Sequence, residues 1–390
     1  MKLLIYSHFF GPSIGGVENI VQSLASGLSE LRLSNGAPEI EITLVTQTPA
    51  LNHDDNALPF TVVRQPGFLR LWRFIRSCDV VHLAGPTIAP LSLALLAGKP
   101  VVVEHHGFQT ICPNGQLLID PPGVPCPGHF MANRHSKCLR CNAAQGWVAS
   151  GKLWLLTFAR RLLCARASAN ITPTQWLGEV LDLPRVTHIP HGLDAAHAIL
   201  LPAPKSSPPV IAFIGRLVTT KGVPLLFRAA KILTEQNRRF ELLIIGDGPE
   251  RAGLEKLAQD PAFPAKVRFV GRLNGAQLET ALAQATVVAV PSLGGEVFGL
   301  VVVENMLRAL PVVASDLGAF KEVLGDAGLI FCADNPADLA AALSRVVDDP
   351  LFAASLGQRA RQRAIDFCNR SRMIEAHARL YFAVQPTQKT

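Results

Sequence analysis

Short apolar runs alternate with segments of helical spacing through the second half of this chain. The runs are VIAFIG (Val210–Gly215), ELLIIG (Glu241–Gly246), VRFVGRL (Val267–Leu273), ATVVAV (Ala285–Val290), PVVAS (Pro311–Ser315) and AGLIF (Ala327–Phe331). Each has the length of one buried strand. Between the first two, GVPLLFRAAKILTEQ sets Leu225, Leu226, Ala229, Ala230 and Leu233 on one side of a helix. RAGLEKLAQ, Gln277–Gln284 and the segment after Gly299 read as further helices. Strands alternating with helices predict an α/β fold with a parallel sheet covered on both faces.

Candidate chemistry collects at the ends of these strands. PSLGGEVFGLVVVENMLRALP (Pro291–Pro311) holds Glu296 and Glu304, eight positions apart, with Phe298-Gly299-Leu300 between them. A strand, a glycine-bearing turn and a helix start form an anion site, because unpaired backbone N–H groups converge there. Taken alone, two glutamates at this spacing describe a solvated helix face as well as a ligand grip. Arg216 and Lys221 change the balance. They lie just beyond the carboxyl end of VIAFIG, where open α/β sheets bind ligands. A planar guanidinium and a compact ammonium suit a diphosphate.

These residues carry a resemblance. Gly215-Arg216 with Lys221-Gly222, Gly246-Asp247-Gly248-Pro249-Glu250, Pro291-Ser292 with Glu296, Phe298-Gly299-Leu300 and Glu304, and Pro311-Val312-Val313-Ala314-Ser315 together resemble the C-terminal half of a family 4 retaining glycosyltransferase. The N-terminal half agrees more loosely. MKLLIYSHFFGPSIGGVENIVQSLASGL resembles the family's opening strand, Gly-Gly loop and first helix, VVVEHHG its strand ending in His-Gly, and HIPHGLD its domain-joining segment. The resemblance implies the GT-B fold, two Rossmann-like doubly wound domains facing each other across a cleft. It implies catalytic roles for His106, Arg216, Lys221 and Glu296, with His105 as a spare for His106. It implies donor contacts from Gly15, Gly16, Gly246, Gly248, Phe298, Gly299 and Leu300, with Glu296 on sugar hydroxyls and Glu304 on the ribose. Retention would proceed by front-face attack, and no protein nucleophile is evident. The chain departs from the family at His191, where Asn is usual, at Leu310 in place of a Gly before Pro311, and at Gly318-Ala319 in place of Gly-Gly.

No Asp-x-Asp occurs, so a metal held by such a pair is not expected to neutralise the departing diphosphate. Arg216, Lys221 and the amides near Gly299 would do so, and no cofactor is expected for catalysis. The expected donor is a UDP-, GDP- or ADP-sugar. The expected acceptor is a glycan, a small molecule or a lipid-linked sugar, in the synthesis of cell-surface polysaccharide or glycolipid. A non-hydrolysing nucleotide-sugar epimerase and a catalytically silent binder of nucleotide-sugars stay open. A nicotinamide oxidoreductase does not, since FFGPSIGG lacks G-x-G-x-x-G.

At 390 residues the chain suits two domains. The expected division is 1–198, with a Cys-rich loop at 107–150, a Pro- and Ser-rich linker at 199–209, a second domain at 210–366, and a helix and tail at 367–390 returning to the first. The apolar stretch after Lys2 is too short for a signal peptide and no uninterrupted apolar window spans a bilayer, so the reading is cytoplasmic, with contact at the inner membrane face an added expectation. Net charge is +7, and LRLWRFIR and KLWLLTFARRLLCAR mix arginine with aromatic residues. Such segments dock on anionic lipid or serve as core helices with exposed arginines, the second being favoured. No nucleic-acid module is evident. Four of the eight cysteines, Cys112, Cys126, Cys138 and Cys141, share one Gly- and Pro-rich stretch without helical or strand periodicity. Cys138-x2-Cys141 is a metal knuckle, and four thiolates would complete a structural zinc site with His129 and His135 in reserve. Free thiols are the alternative, and Cys78, Cys164, Cys332 and Cys368 read as small core residues.

Overall fold

The computed structural model describes residues 1–12, 15–33, 36–51, 53–194, 207–260, 263 and 266–385. They form two units, each built on its own parallel sheet. The first unit comprises Met1–Gly115, Gly128–Leu193 and the chain from Cys368 onward; the second comprises Gln116–Pro127 and Asp194–Phe367.

The first sheet has seven strands: β1 (Lys2–Ser7), β2 (Glu41–Thr46), β3 (Thr61–Arg64), β4 (Val80–Ala84), β5 (Val101–Glu104), β6 (Ala169–Thr172) and β7 (Val186–His188), in the order β3-β2-β1-β4-β5-β6-β7. The second has six: β8 (Val210–Ile214), β9 (Glu241–Ile245), β10 (Lys266–Gly271), β11 (Val287–Val290), β12 (Val312–Ser315) and β13 (Leu329–Phe331), in the order β10-β9-β8-β11-β12-β13. Every pairing in both sheets is parallel. The central strands are apolar throughout because helices cover both faces. Val101, Val102 and Val103 in one sheet, and Val287, Val288 and Ala289 in the other, are fully buried. In each sheet the strand order reverses direction beside the first strand, at β1/β4 and at β8/β11. The carboxyl ends of strands splay there, and ligands of such folds enter at that point.

Two further features shape the units. Helix α1 (Gly16–Glu30) follows β1, and α2 (Val223–Glu235) follows β8. Helix α3 (Leu300–Leu307) follows β11, and α4 (Arg370–Val384) returns to the first unit. Asn369 caps α4, its Oδ1 accepting the Arg372 N–H at 3.0 Å, and Arg370 Nε donates to Ser23 Oγ on α1 at 3.0 Å. Gly27 of α1 leaves room for Ile374, which a side chain there would strike.

Several sequence expectations need correction. The Cys-rich stretch does not belong wholly to the first unit: Gln116–Pro127 joins the second. It is also not without regular structure. Leu118–Ile119 pairs antiparallel with Val124–Pro125, and His135–Cys141 is a helix. Two-residue strands and a two-turn helix are too short to show a period. Leu118 is buried in the core of the second unit, which explains why the hairpin segregates there. The expected linker at 199–209 lies outside the described residues except for 207–209. Cys332 is exposed, whereas Cys78, Cys164 and Cys368 are buried. The helix Trp147–Cys164 is not a core helix: it buries only Ser150, Thr157 and Cys164, while Trp147, Val148, Leu155, Phe158 and Leu162 are exposed.

Candidate functional site

In the second unit, the loops that follow β8 and β11 meet. Beyond β8 the chain runs through Arg216 into a single 3-10 turn, Thr219–Lys221. Gly222 then adopts φ 63°, and a Cβ there would collide with the Pro291 carbonyl. That close approach brings Leu293 N–H onto the Thr220 carbonyl at 2.8 Å. Lys221 Nζ thereby reaches Glu296 Oε1 in a short ion pair. Ser292 Oγ donates to the same oxygen at 3.0 Å, and Ser315 Oγ, at the end of β12, donates to the Ser292 carbonyl at 2.6 Å. Glu296 is thus a nearly buried carboxylate, 8% exposed, held by one cation and one hydroxyl.

Glu296 stands four residues before α3. Gly299 caps that helix at φ 88°, a left-handed conformation that Cβ-bearing residues avoid. Its carbonyl accepts from Val302 and Val303, so the amides of Leu300 and Val301 have no acceptor within the helix. Phe298 is buried, 1% exposed. Glu304, one turn further, faces a different environment. Arg308 is engaged by Glu279, Nη2 to Oε1 at 2.6 Å and Nε to Oε2 at 3.0 Å. Burial therefore pushes the Glu304 carboxyl above its ordinary range, and the Arg308 charge only partly opposes it. The second glycine turn closes the floor: Gly246 lies against the Gly215 carbonyl and Gly248 against that of Leu217, positions where side chains would collide. Arg216 is exposed and joins no ion pair among the described residues. The structure therefore gathers Lys221, Glu296, Phe298, Gly299, Leu300, Glu304, Gly246, Gly248 and Arg216 around the ends of β8, β9 and β11.

The hairpin of the Cys-rich stretch sits on the same loops. Gly295 N–H donates to the Gln116 carbonyl at 2.6 Å, and Gly123 abuts Thr219. Sequence reasoning had put the whole stretch on the acceptor side; this part of it buttresses the Lys221 and Glu296 loops instead.

In the first unit, Gly15 caps α1, where a Cβ would meet the Glu18 carboxylate, and Gly16 is its first residue. His105 points into the core, its Nε2 bonded to Asn170 Oδ1 at 2.9 Å, and burial lowers its pKa to about 4. It is no spare for His106. His106 stacks on His191 with ring centroids 5.2 Å apart, its Nε2 3.6 Å from Glu104 Oε2. Glu104, His191, His82 and His377 were not read from the sequence as a group. Glu104 offered one signal, an acid inside the apolar run VVVEHH. Cys112 Sγ donates to Asn114 Oδ1 at 2.9 Å, and Asn114 Nδ2 donates to Cys141 Sγ at 3.5 Å. Cys138 shares the helix with Cys141, whereas Cys126 falls in the second unit.

One departure from the family pattern is also corrected. The left-handed residue in the turn before Pro311 is Ala309, at φ 61°, and Leu310 is an ordinary buried side chain. The residue standing where a glycine is favoured is therefore Ala309.

The chain belongs to the glycosyl transferases group 1, whose family description matches residues 202–363. It is a glycosyltransferase with the GT-B fold, two parallel α/β domains. It is similar to glycogen synthase of Mycobacterium tuberculosis, 30% identical over 301 residues, spanning 74% of this chain and 70% of that one. It is also similar to phosphatidyl-myo-inositol mannosyltransferase of Mycolicibacterium smegmatis, 35% identical over 293 residues, spanning 73% of this chain and 66% of the relative. Among solved structures, Anabaena HepE in complex with UDP and glucose superposes with a TM-score of 0.71 at 18% identity, covering 98% of this chain and 100% of that one. Sucrose-phosphate synthase from Thermosynechococcus elongatus superposes at 0.73 with 20% identity, covering 98% of each.

Proposed function

We propose that this protein is a retaining transferase that moves a sugar from a UDP-, GDP- or ADP-sugar to a glycan, small-molecule or lipid-linked acceptor in cell-surface polysaccharide or glycolipid synthesis. The observation that carries this reading is the Lys221–Glu296–Ser292 cluster beside the open amides of α3. Breaking the anomeric bond leaves negative charge on a nucleoside diphosphate. Arg216, Lys221 and the Leu300 and Val301 amides supply fixed positive potential for it, so catalysis needs no divalent ion at the phosphates. Lys221 is shared: in the free protein Glu296 holds it, and a diphosphate competes for the same ammonium. Glu296 then turns its carboxylate to sugar hydroxyls, and Glu304 accepts from the ribose. The leaving phosphate takes the acceptor's proton as attack proceeds on the same face. The roles of Gly15, Gly16 and His106 rest on the family resemblance.

Two further parts of this reading have their own support. The helix Trp147–Cys164 exposes Trp147, Leu155 and Leu162 and carries Lys152, Arg160 and Arg161 with no acidic residue. The helix Phe68–Ser77 exposes Phe68 and Leu69 and carries three arginines. Apolar residues beside cations suit an anionic lipid surface at the inner face of the membrane, where a cytoplasmic enzyme would meet a lipid-linked acceptor. Among the described residues no helix is long and apolar enough to cross a membrane. Cys112, Cys126, Cys138 and Cys141 are proposed as a structural zinc site, supported by the shared Asn114 contact of Cys112 and Cys141 and by the i,i+3 placement of Cys138 and Cys141 on one helix.

The test is a thermal-shift screen of UDP, GDP, ADP and their sugars, followed by donor hydrolysis or transfer with whichever stabilises. A ligand at 100 times its Kd adds about 2.7 kcal/mol. Stabilisation by one nucleotide with turnover of its sugar supports the reading. No stabilisation by any of them, or binding without hydrolysis or transfer to any acceptor class, overturns it.

A further inference from the structure

We infer that the first unit holds a divalent transition-metal ion between Glu104, His106 and His191. Glu104 ends β5 and is fully buried. Around its carboxylate stand His82 Nε2 at 3.2 Å, His106 Nε2 at 3.6 Å and His377 Nε2 at 3.7 Å from Oε2, with His191 Nδ1 at 3.4 Å from Oε1. The ligand atoms of Glu104, His106 and His191 all lie within 4.8 Å of one another.

These approaches are not hydrogen bonds. Both oxygens of Glu104 and the Nε2 atoms of His82, His106 and His377 are buried without a hydrogen-bond partner. The tautomer of His377 shows why. Its Nδ1 lies 2.8 Å from the Met373 carbonyl, which can only accept, so Nδ1 carries the proton. In the neutral ring Nε2 is then a bare lone pair, facing a carboxylate oxygen that is also a lone-pair donor. Such a face needs a cation. Protons on the rings are one way to supply it, but burial works against them. It lowers His82, and it lowers His191 to about 3 despite the neighbouring carboxylate. Burial also acts to raise Glu104, yet the surrounding histidines, His106 first, hold it well below the carboxylate range. The result is an anionic carboxylate ringed by imidazoles that keep their lone pairs free, which is the protonation state that metal ligands require.

The spacing agrees. Ligands about 2.0–2.1 Å from a tetrahedral ion lie about 3.3–3.4 Å apart, close to the separations around Glu104. Outer partners are also in place: Met373 orients His377, and Tyr381 Oη lies 2.9 Å from His82 Nδ1. A set of two imidazoles and one carboxylate suits zinc, iron(II) or manganese rather than a thiophilic ion. His191 is the position where the resembled family usually has Asn, so this chain has gained a ligand at that point. Metal on Nε2 of His106 leaves its Nδ1 as a fixed N–H donor. The site is separate from the residues proposed to hold the diphosphate, and the inference does not rest on the donor reading.

The test uses the full chain carrying no polyhistidine tag. Metal content of the purified protein, with and without added Zn2+, Fe2+ or Mn2+, is measured by mass spectrometry, and the ligand shell by X-ray absorption. The expected result is one equivalent with nitrogen and oxygen neighbours at about 2.0–2.1 Å, persisting in a C138S/C141S variant. His191→Asn and Glu104→Gln should each lose that equivalent while circular dichroism stays unchanged. Absence of bound metal under all conditions overturns the inference, as does a shell made only of sulfur at about 2.3 Å or full retention in the His106→Ala/His191→Asn double variant. Donor turnover is read separately, so loss of one finding leaves the other standing.

Discussion

Lys221→Ala tests whether one ammonium serves both the fold and the chemistry. In the free protein it is the cation partner of Glu296, whose side chain is 9% exposed while that of Lys221 is 29% exposed. Breaking a fully buried pair costs about 3–5 kcal/mol, because the remaining charge is stranded, and an exposed pair contributes at most about 1. With Ser292 still donating, a loss of about 2 kcal/mol is expected, or about 4–8 °C in the unfolding of a domain of this size. Loss of transition-state stabilisation should be larger, about 3 kcal/mol, or about 100-fold in turnover. The two effects separate in the double variant Lys221→Ala/Glu296→Gln. Neutralising the stranded carboxylate should return most of the lost stability, measured by differential scanning fluorimetry and urea unfolding. Transfer, measured as released nucleoside diphosphate, should stay at or below the single-variant rate. If the double variant regains transfer along with stability, Lys221 acts only through the fold. If the single variant turns over within threefold of the parent, the proposed phosphate contact is wrong.

Glu304→Gln should stabilise the ligand-free protein at pH 7–8. The folded carboxyl titrates above its unfolded value, so its favourable contribution is complete below the unfolded value and is lost as pH rises through the folded one. The difference in Tm between variant and parent should therefore shrink toward pH 4; a constant difference refutes the assignment. Ala309→Gly should add about 1 kcal/mol by relieving the left-handed turn, read as a raised urea midpoint with unchanged slope, and a neutral or destabilising result means that the turn is not strained. Arg216→Ala, at an exposed side chain outside any ion pair, should leave Tm within about 1 °C and cut turnover about 100-fold; near-normal turnover removes it from the mechanism. Vesicles with anionic lipid should retain the protein at low salt and lose it when Trp147 and Leu155 become Ser, whereas equal recovery on neutral vesicles counts against lipid docking.

The second sheet was legible because each of its strands is a short apolar run bounded by turn residues. Val210–Ile214 and Glu241–Ile245 match the runs read from sequence to within a residue. Arg216, Lys221, Glu296 and Glu304 were found for a related reason: in a parallel sheet the residues just after each strand converge, so position along the chain implies position in space. The grip of Lys221 on Glu296 was not legible, since it depends on the Gly222 carbonyl approach rather than on spacing. The Glu104 cluster was hidden by distance along the chain. His82, His191 and His377 come from a strand, a loop and the last helix, and only the packing of α4 on the first unit brings them to one carboxylate. The helix His135–Cys141 and the Leu118 hairpin were too short for any period to register. The exposed face of Trp147–Cys164 was misjudged because an aromatic-rich helix gives the same pattern whether its apolar side meets protein or lipid.

The return of α4 has a consequence for biosynthesis. Tyr381 is fully buried against His82, yet the two residues are separated by nearly the whole polypeptide. At a translation speed of about 5–20 residues per second, β1 to β7 wait while the entire second unit is made before their closing helix arrives. The amino-terminal lobe is consequently the last to mature, and a ribosome stalled shortly before Arg370 would leave it with an open seam beside α1 that chaperones or proteases can read.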